Sequence, residues 1–484
     1  MVSTNVKKGL VFGTGSFLVL VGGIIGGFWG EIYDAVLISQ LTLTSTSQSY
    51  DIWKDIPIPM YMDFYLFNWT NVDEVLSDPT IPPKLEEHGP YVFREYHKRV
   101  HLSWNDNDTV TYYQIRTWHF QPEMSKGSLD DEITNINVIA TTTAYATRFL
   151  PEFMRLFISI FLDKTNSSLV VTKTARELLF DGYDDKLLDF ARQLNISLFK
   201  IPFKKFGYFA ERNGSYTYDG AFNMFTGADS ISKLGMLTAW NFEHETHYYG
   251  YPCNVVRGSS GELWPPTHTH DGIAIFAPDV CMSLDLTYQQ ETEVRGISGL
   301  HYIGDNRTLD TGALFPDKKC QCVGECQPRG ALNVSLCKFN APIFMTYPHF
   351  YLAHPSYLNA VDGLEPTKEK HEFTFAMEPT TGIPLYVNGR LQLNIMVEPF
   401  DNISMFQNFS RRMFIPTLWF NQRVVLDEDM ADKVKLILGL QTIGMGVLFG
   451  LAGIGALLLF VGAMLTIRNG WKGSEGGRLL LENQ

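Results

Sequence analysis

Two long uncharged runs bracket this chain and constrain everything between them. Gly9–Gly30 holds 22 consecutive residues without a formal charge, and Leu436–Ile467 holds 32. At 1.5 Å per residue the first spans about 33 Å as a helix, enough to cross a hydrocarbon core of about 30 Å. The second is longer still, so length alone does not set its borders. Lys7 and Lys8 precede the first run; Arg468, Lys472 and Arg478 follow the second. Cations beside a span mark the cytosolic side. The expected plan is therefore a cytosolic N-tail (1–8), a transmembrane helix (9–30), a lumenal or extracellular domain (31–435), a second transmembrane helix (436–467) and a cytosolic C-tail (468–484). A cleaved signal peptide is the rival for the first run. That run exceeds the usual h-region and lacks a clear small-x-small cleavage site, so an uncleaved anchor is expected. Gly22/Gly26, Gly23/Gly27 and Gly446/Gly450 have G-x-x-x-G spacing, which lets helix backbones approach. Pairing of the spans, within the chain or between copies in a homo-oligomer, stands against the plainer reading that glycine is common in such helices.

Between the spans the chain is acidic. Net charge is −13, and the tails' five cations against two carboxylates leave −16 for the interior. Nucleic acid is an unfavourable partner for such a surface, and an anionic ligand needs a local cationic patch. Sequons begin at Asn68, Asn107, Asn166, Asn195, Asn213, Asn306, Asn333, Asn402 and Asn408, all between the spans, as expected of a glycosylated lumenal surface. The six cysteines, Cys253, Cys281, Cys320, Cys322, Cys326 and Cys337, fall in one 85-residue stretch. Six cysteines allow 15 pairings. A zinc site from Cys320, Cys322, Cys326 and Cys337 fits the spacing, but an oxidising lumen favours disulfides.

Period-two alternation predicts strand pairs over Tyr96–Phe120, turning at Asn105–Asp108, and over His371–Pro399, turning at Pro379–Gly382. Phe373, Phe375 and Met377 share one face of the second pair. Helical spacing covers Thr143–Leu162 and Arg176–Leu194. The expected class is α+β: one domain with an antiparallel sheet core and a helical insertion. No catalytic signature emerges. His244-Glu245-Thr246-His247 is one residue short of H-E-x-x-H. Gly258-Ser259-Ser260-Gly261 is not G-x-S-x-G and reads as a turn. His268 and His270 follow Pro265-Pro266 and read as a solvated loop. No enzyme, metal or cofactor is expected.

Six segments, in order, resemble the class B scavenger receptors, with the insect croquemort-like branch nearest. They are Pro57–Thr70 (PIPMYMDFYLFNWT), His88–Phe93 (HGPYVF), Cys253–Pro266, Ala341–Phe350 (APIFMTYPHF), Gly382–Pro399 and Ile415–Phe420 (IPTLWF). The resemblance covers nearly the whole chain between the spans. It implies an irregular antiparallel β-barrel with a helical bundle at a membrane-distal apex and an internal hydrophobic tunnel. It implies a receptor that binds lipids (fatty acids, sterols, phospholipids), lipoproteins or apoptotic debris at the apex and passes hydrophobic cargo toward the membrane. It also implies the pairs Cys253–Cys320, Cys281–Cys337 and Cys322–Cys326.

The matching apical helix is Thr147–Lys164, with Arg148, Arg155 and Lys164 as cations and Phe149, Phe153 and Phe157 as an apolar stripe. Those phenylalanines either meet ligand or pack the bundle. Lys164 falls where the family carries a ligand-binding lysine, whereas a second expected lysine is Asn166 here, inside a sequon. Tail cysteines that relatives can palmitoylate are absent. The C-tail instead contains Glu475-Gly-Gly-Arg-Leu479-Leu480, an E-x-x-x-L-L pattern of the kind read by endosomal sorting adaptors. The second expectation is thus a lysosomal sorting receptor that carries a soluble hydrolase by its apical helices, resident in the endosome–lysosome rather than at the plasma membrane. A two-span channel subunit and an ectonucleotidase share the topology; the clustered cysteines and the absence of a phosphate-cradling glycine motif disfavour them.

Overall fold

A computed structural model describes residues 4–194, 204–266, 270–407, 409, 411–468 and 470–471. The chain forms two compact units, residues 1–40 with 429–484, and residues 41–428.

The smaller unit is built on two helices, Thr4–Gly27 and the 40-residue Glu428–Ile467. Both are long and apolar enough to cross a membrane by length and composition. The first helix starts before Gly9 and ends at Gly27, and a new helix begins at Trp29. The two long helices pack on glycines. A methyl added to Gly22 would lie 2.5 Å from the Leu448 carbonyl, and one added to Gly455 would lie 2.7 Å from the Gly15 carbonyl. Gly23, Gly27, Gly446 and Gly450 meet nothing within 4 Å. Gly15, Gly22 and Gly26 all face the second helix, a methyl on Gly26 falling 3.4 Å from Leu448 and Phe449, so of the three G-x-x-x-G pairs only Gly22/Gly26 lies on the contact. Past the glycines, Trp29 Nε1 donates to the Gln441 carbonyl at 3.0 Å and the Tyr33 hydroxyl donates to the Ile437 carbonyl at 3.0 Å.

The larger unit is a nearly closed antiparallel sheet. Its strands are β1 (Met60–Trp69), β2 (Leu85–Asn105), β3 (Thr109–Phe120), β4 (Glu132–Ile136), β5 (Val170–Thr174), β6 (Ala221–Phe225), β7 (Leu237–Trp240), β8 (Ile273–Ala277), β9 (Met282–Val294), β10 (Ile297–Ile303), β11 (Leu332–Asn333), β12 (Ile343–Thr346), β13 (Thr374–Met377), β14 (Pro384–Val397) and β15 (Met413–Val425). The barrel order is β7-β6-β3-β2-β1-β15-β14-β13-β10-β9-β8, with β12 and β11 branching from β14 and a separate β4–β5 pair. Both expected strand pairs are present, as β2–β3 and β13–β14.

The seam between the terminal strands is the Gly258–Gly261 segment. Leu237 N donates to the Gly258 carbonyl at 2.8 Å, Ser259 N donates to the Ala274 carbonyl at 3.0 Å, and Phe276 N donates to the Ser259 carbonyl at 2.8 Å. One residue thus bridges β7's edge and β8, leaving little of either edge unpaired. Gly258 sits at φ +78°, where a Cβ would fall 2.1 Å from the Ala274 carbonyl; only glycine lets the backbones close there.

The helical insertion differs from the expected pair of long helices. Thr143–Leu162 is two helices, Val138–Thr147 and Glu152–Lys164, because Pro151 disfavours helical geometry at Leu150 and lacks the N–H the ladder needs. Arg176–Leu194 likewise divides into a π-turn at Glu177–Asp181 and a helix at Lys186–Leu194, broken at Gly182, φ +67°.

Three disulfides join Cys253 to Cys320, Cys281 to Cys337 and Cys322 to Cys326, the pairs the resemblance implies. These six cysteines form no zinc site.

Candidate functional site: an apolar stripe, a cavity and a charged layer

The helix Glu152–Lys164 is amphipathic in an unusual sense: it turns its apolar stripe to solvent. Phe149, Phe153 and Phe157 are 84%, 73% and 61% exposed, and Leu156 and Ile160 extend the same patch. Bundle packing falls to the opposite face. There Ser159 and Leu162 are buried, Phe161 packs on Phe190 at 4.0 Å between ring centres, and the Ser159 hydroxyl accepts from Ser404 N at 3.0 Å. The three phenylalanines named from the sequence are therefore surface, not core. Of the expected cations, two are turned back onto the backbone. Arg148 lies over the Tyr145 ring at 3.4 Å and donates to the Tyr145 carbonyl, while Arg155 donates to the Arg148 carbonyl at 3.0 Å. Lys164 is exposed at the helix end.

The preceding helix, Val138–Thr147, leads inward. Its Val138, Ile139, Thr142, Thr143 and Ala146 form one wall of a cavity of about 710 Å³. Leu187, Phe209, Ile343, Met345, Leu393 and Phe420 supply other apolar lining. A cavity of this volume is in the range that holds a small hydrophobic ligand. Its charged lining is Glu211, Asp219, Asp279 and Lys338, and the last three with Tyr218 form its polar pole.

The pole's acids belong to a layer of buried charge that crosses the barrel. On β2 the inward residues run Tyr91, Phe93, Glu95, His97, Arg99; on β3 they run Trp118, Arg116, Gln114, Tyr112, Val110. Apolar residues flank the charges along both strands, and the buried core correspondingly divides into two clusters. His97 lies between Glu95 (2.7 Å) and Glu262 (3.2 Å), Arg99 pairs with Glu262 at 2.8 Å, and Arg116 pairs with Asp219 at 3.0 Å. Arg212 donates to Asp219 at 2.8 Å and to Asp279 at 3.1 Å. Lys338 reaches Asp279 at 3.6 Å. Burial pushes the Asp279 carboxyl up, but Arg212 and Lys338 more than offset it and hold the group well below the usual carboxylate range. Asp219 is depressed in the same way, with burial opposed by Arg212 and Arg116. All of these acids are ionised, and each is matched by a cation.

No cluster of three metal-ligating side chains occurs among the described residues. Of the sequon asparagines, Asn107, Asn213 and Asn306 are exposed, and Asn68, Asn166, Asn333 and Asn402 are half-buried. Asn333 Nδ2 donates to the Val323 carbonyl at 3.2 Å, a bond a glycan there would displace. Asn195, Asn408, His268 and the tail residues Glu475, Leu479 and Leu480 lie outside the described residues.

Asp219, Asp279, Arg212 and Lys338 were not identifiable from the sequence. They come from three separate segments, Arg212 and Asp219 before β6, Asp279 after β8 and Lys338 at the end of a 3-10 turn, and only the fold brings them together at the cavity. The chain is 36% identical over 412 residues to Protein peste of Drosophila melanogaster, covering 84% of this chain and 74% of that protein. It is 30% identical to bovine (Bos taurus) scavenger receptor class B member 1 over 83% of this chain and 78% of the relative. Human (Homo sapiens) lysosome membrane protein 2 is 30% identical over 91% of this chain and 92% of its own length. The sequence pattern of the CD36 family matches residues 13–466, and the chain therefore belongs to that family, the class B scavenger receptors, which are lipid-handling membrane receptors rather than enzymes.

Proposed function

We propose that the protein captures lipids or lipid-bearing particles on the Phe149–Phe153–Phe157 stripe and passes hydrophobic cargo into the cavity behind it, toward the membrane. The observation that carries this reading is the juxtaposition in sequence and fold: the helix that walls the cavity ends at Thr147, and the exposed phenylalanines follow directly. An apolar patch of this size on a glycosylated surface is costly unless something covers it. Once inside, each methylene withheld from water contributes about 0.8 kcal/mol, which an aqueous route to the bilayer would forfeit. In this reading residues 9–30 and 436–467 cross the membrane, both tails are cytosolic, and the large unit lies outside or in a lumen. Replacing all three phenylalanines by serine should abolish capture of phosphatidylcholine–cholesterol particles by the full-length protein while leaving its thermal midpoint unchanged. Undiminished capture would refute the stripe's role.

A second reading is favoured by the likeness to lysosome membrane protein 2 and by the E-x-x-x-L-L tail: a sorting receptor that delivers a soluble hydrolase through the same helices, recognised by a sorting adaptor. Its test is location. Wild type in late endosomes with a Leu479→Ala/Leu480→Ala variant at the surface supports it, and both at the plasma membrane removes it.

A further inference from the structure

We propose that the cavity selects lipids with an uncharged, hydroxyl-bearing head and discriminates against ionised fatty acids. This rests on the reading of the cavity as a lipid site and adds which class of lipid it takes.

Acyl tails are alike in an apolar lining, so selectivity falls to the polar pole. A carboxylate head needs a cation that is free to meet it. Among the described residues lining the cavity the acids are Glu211, Asp219 and Asp279, and the single cation is Lys338. Lys338 is already held by Asp279 at 3.6 Å. Behind it the layer is internally paired. Glu95, Asp219, Glu262 and Asp279 stand against Arg99, Arg116, Arg212 and Lys338, with His97 bridging Glu95 and Glu262. An entering carboxylate would meet Lys338 only beside Asp279, like charge against like charge, with Asp219 and Glu211 lining the same cavity. A hydroxyl has no such conflict. It can donate to the Asp279 carboxylate, whose side chain is 30% exposed, and accept from Lys338 or Tyr218, with no net charge to desolvate. The arrangement thus offers a hydrogen-bonding pole with no surplus positive charge.

The test compares two probes with the same tail, dodecan-1-ol and dodecanoate, below their aggregation limits at pH 7.4. Saturable binding is measured to the full-length protein in nanodiscs. The alcohol should bind at least tenfold more tightly than the acid. Asp279→Asn releases Lys338 and should narrow that ratio by strengthening dodecanoate alone. Lys338→Met provides a second variant should the first fail to fold, and it should leave dodecanoate binding within twofold. Equal or tighter binding of dodecanoate to the wild type, or its collapse in Lys338→Met, overturns the selectivity while leaving the cavity a lipid site. Saturable binding of neither probe removes the cavity reading itself, and this inference with it.

Discussion

Acidification should weaken the large unit through one buried imidazole. His371 is 1% exposed and stacks on His349, ring centres 4.4 Å apart and planes within 14°. Each ring uses Nδ1 to hold the intervening loop: Glu365 N donates to His349 at 3.0 Å and Thr367 N to His371 at 2.9 Å. His349 Nε2–H and Trp419 Nε1–H both donate to Glu87 at 2.6 Å. Burial, then His349, lowers the His371 pKa from 6.5 to about 3; Arg390 and Lys370 act in the same direction and Glu87 against it. A base depressed in the folded state leaves the unfolded chain to take the proton first. Stability is therefore full above pH 6.5 and is lost as pH falls from there toward 3. Between pH 7 and pH 5 the loss is about 2 kcal/mol. Glu87, Glu95 and Asp219 are held below their ordinary values, so they stay ionised across that window and the loss belongs to imidazole. His301, also lowered by burial and then Lys368, adds to it in the same sense. His371→Asn supplies a carbonyl to accept from Thr367 N and cannot titrate. Denaturant unfolding of the full-length protein in detergent, followed by tryptophan emission at pH 7 and pH 5, should show wild type losing about 2 kcal/mol more than this variant. Equal losses would show that His371 carries no proton linkage.

Three other outcomes are expected. Gly22→Val should lower the thermal midpoint of the protein in detergent by the equivalent of about 1–3 kcal/mol, through overlap with the Leu448 carbonyl, whereas Gly23→Val, which meets nothing within 4 Å, should leave it unchanged. Arg212→Met removes the cation that Asp219 and Asp279 share, leaving them only Arg116 and Lys338, and should cost about 3–5 kcal/mol in denaturant unfolding. Removing Cys281–Cys337 or Cys253–Cys320, whose partners are 56 and 67 positions apart, should cost about 2–5 kcal/mol each by the same measurement. Cys322–Cys326, separated by four, should cost the least, since the loop entropy it withholds from the unfolded chain is smallest.

Local pattern made much of this fold legible. Alternation from Tyr96 to Phe120 and from His371 to Pro399 marked β2–β3 and β13–β14, and two uncharged runs marked the long helices. Legibility failed where a residue's neighbour is distant in sequence. Gly258–Gly261 reads as a turn because nothing local shows that it lies between β7 and β8. Phe149, Phe153 and Phe157 recur at helical spacing, but spacing defines a face without saying whether that face points in or out.

The charged layer is the sharpest case, and it bears on function. On β2, Arg94, Tyr96 and Lys98 alternate with Glu95, His97 and Arg99, so both faces look equally fit for water. The choice between them is made by Glu262, Arg116, Asp219 and Arg212, none of which is a near neighbour in sequence. Replacing such a layer with hydrophobic residues would often be neutral or stabilising in an ordinary core, so stability is a weak reason for its presence. Its position supplies a better one. It separates two apolar clusters and ends on Asp279 and Lys338 at the cavity's polar pole, so on the proposed route cargo would meet fixed, paired charge before it meets further hydrocarbon. On the proposed reading such a pole repels a second unpaired charge and accepts a hydroxyl, so the interior that hides these charges from sequence patterning would also be the element that sorts cargo by its head.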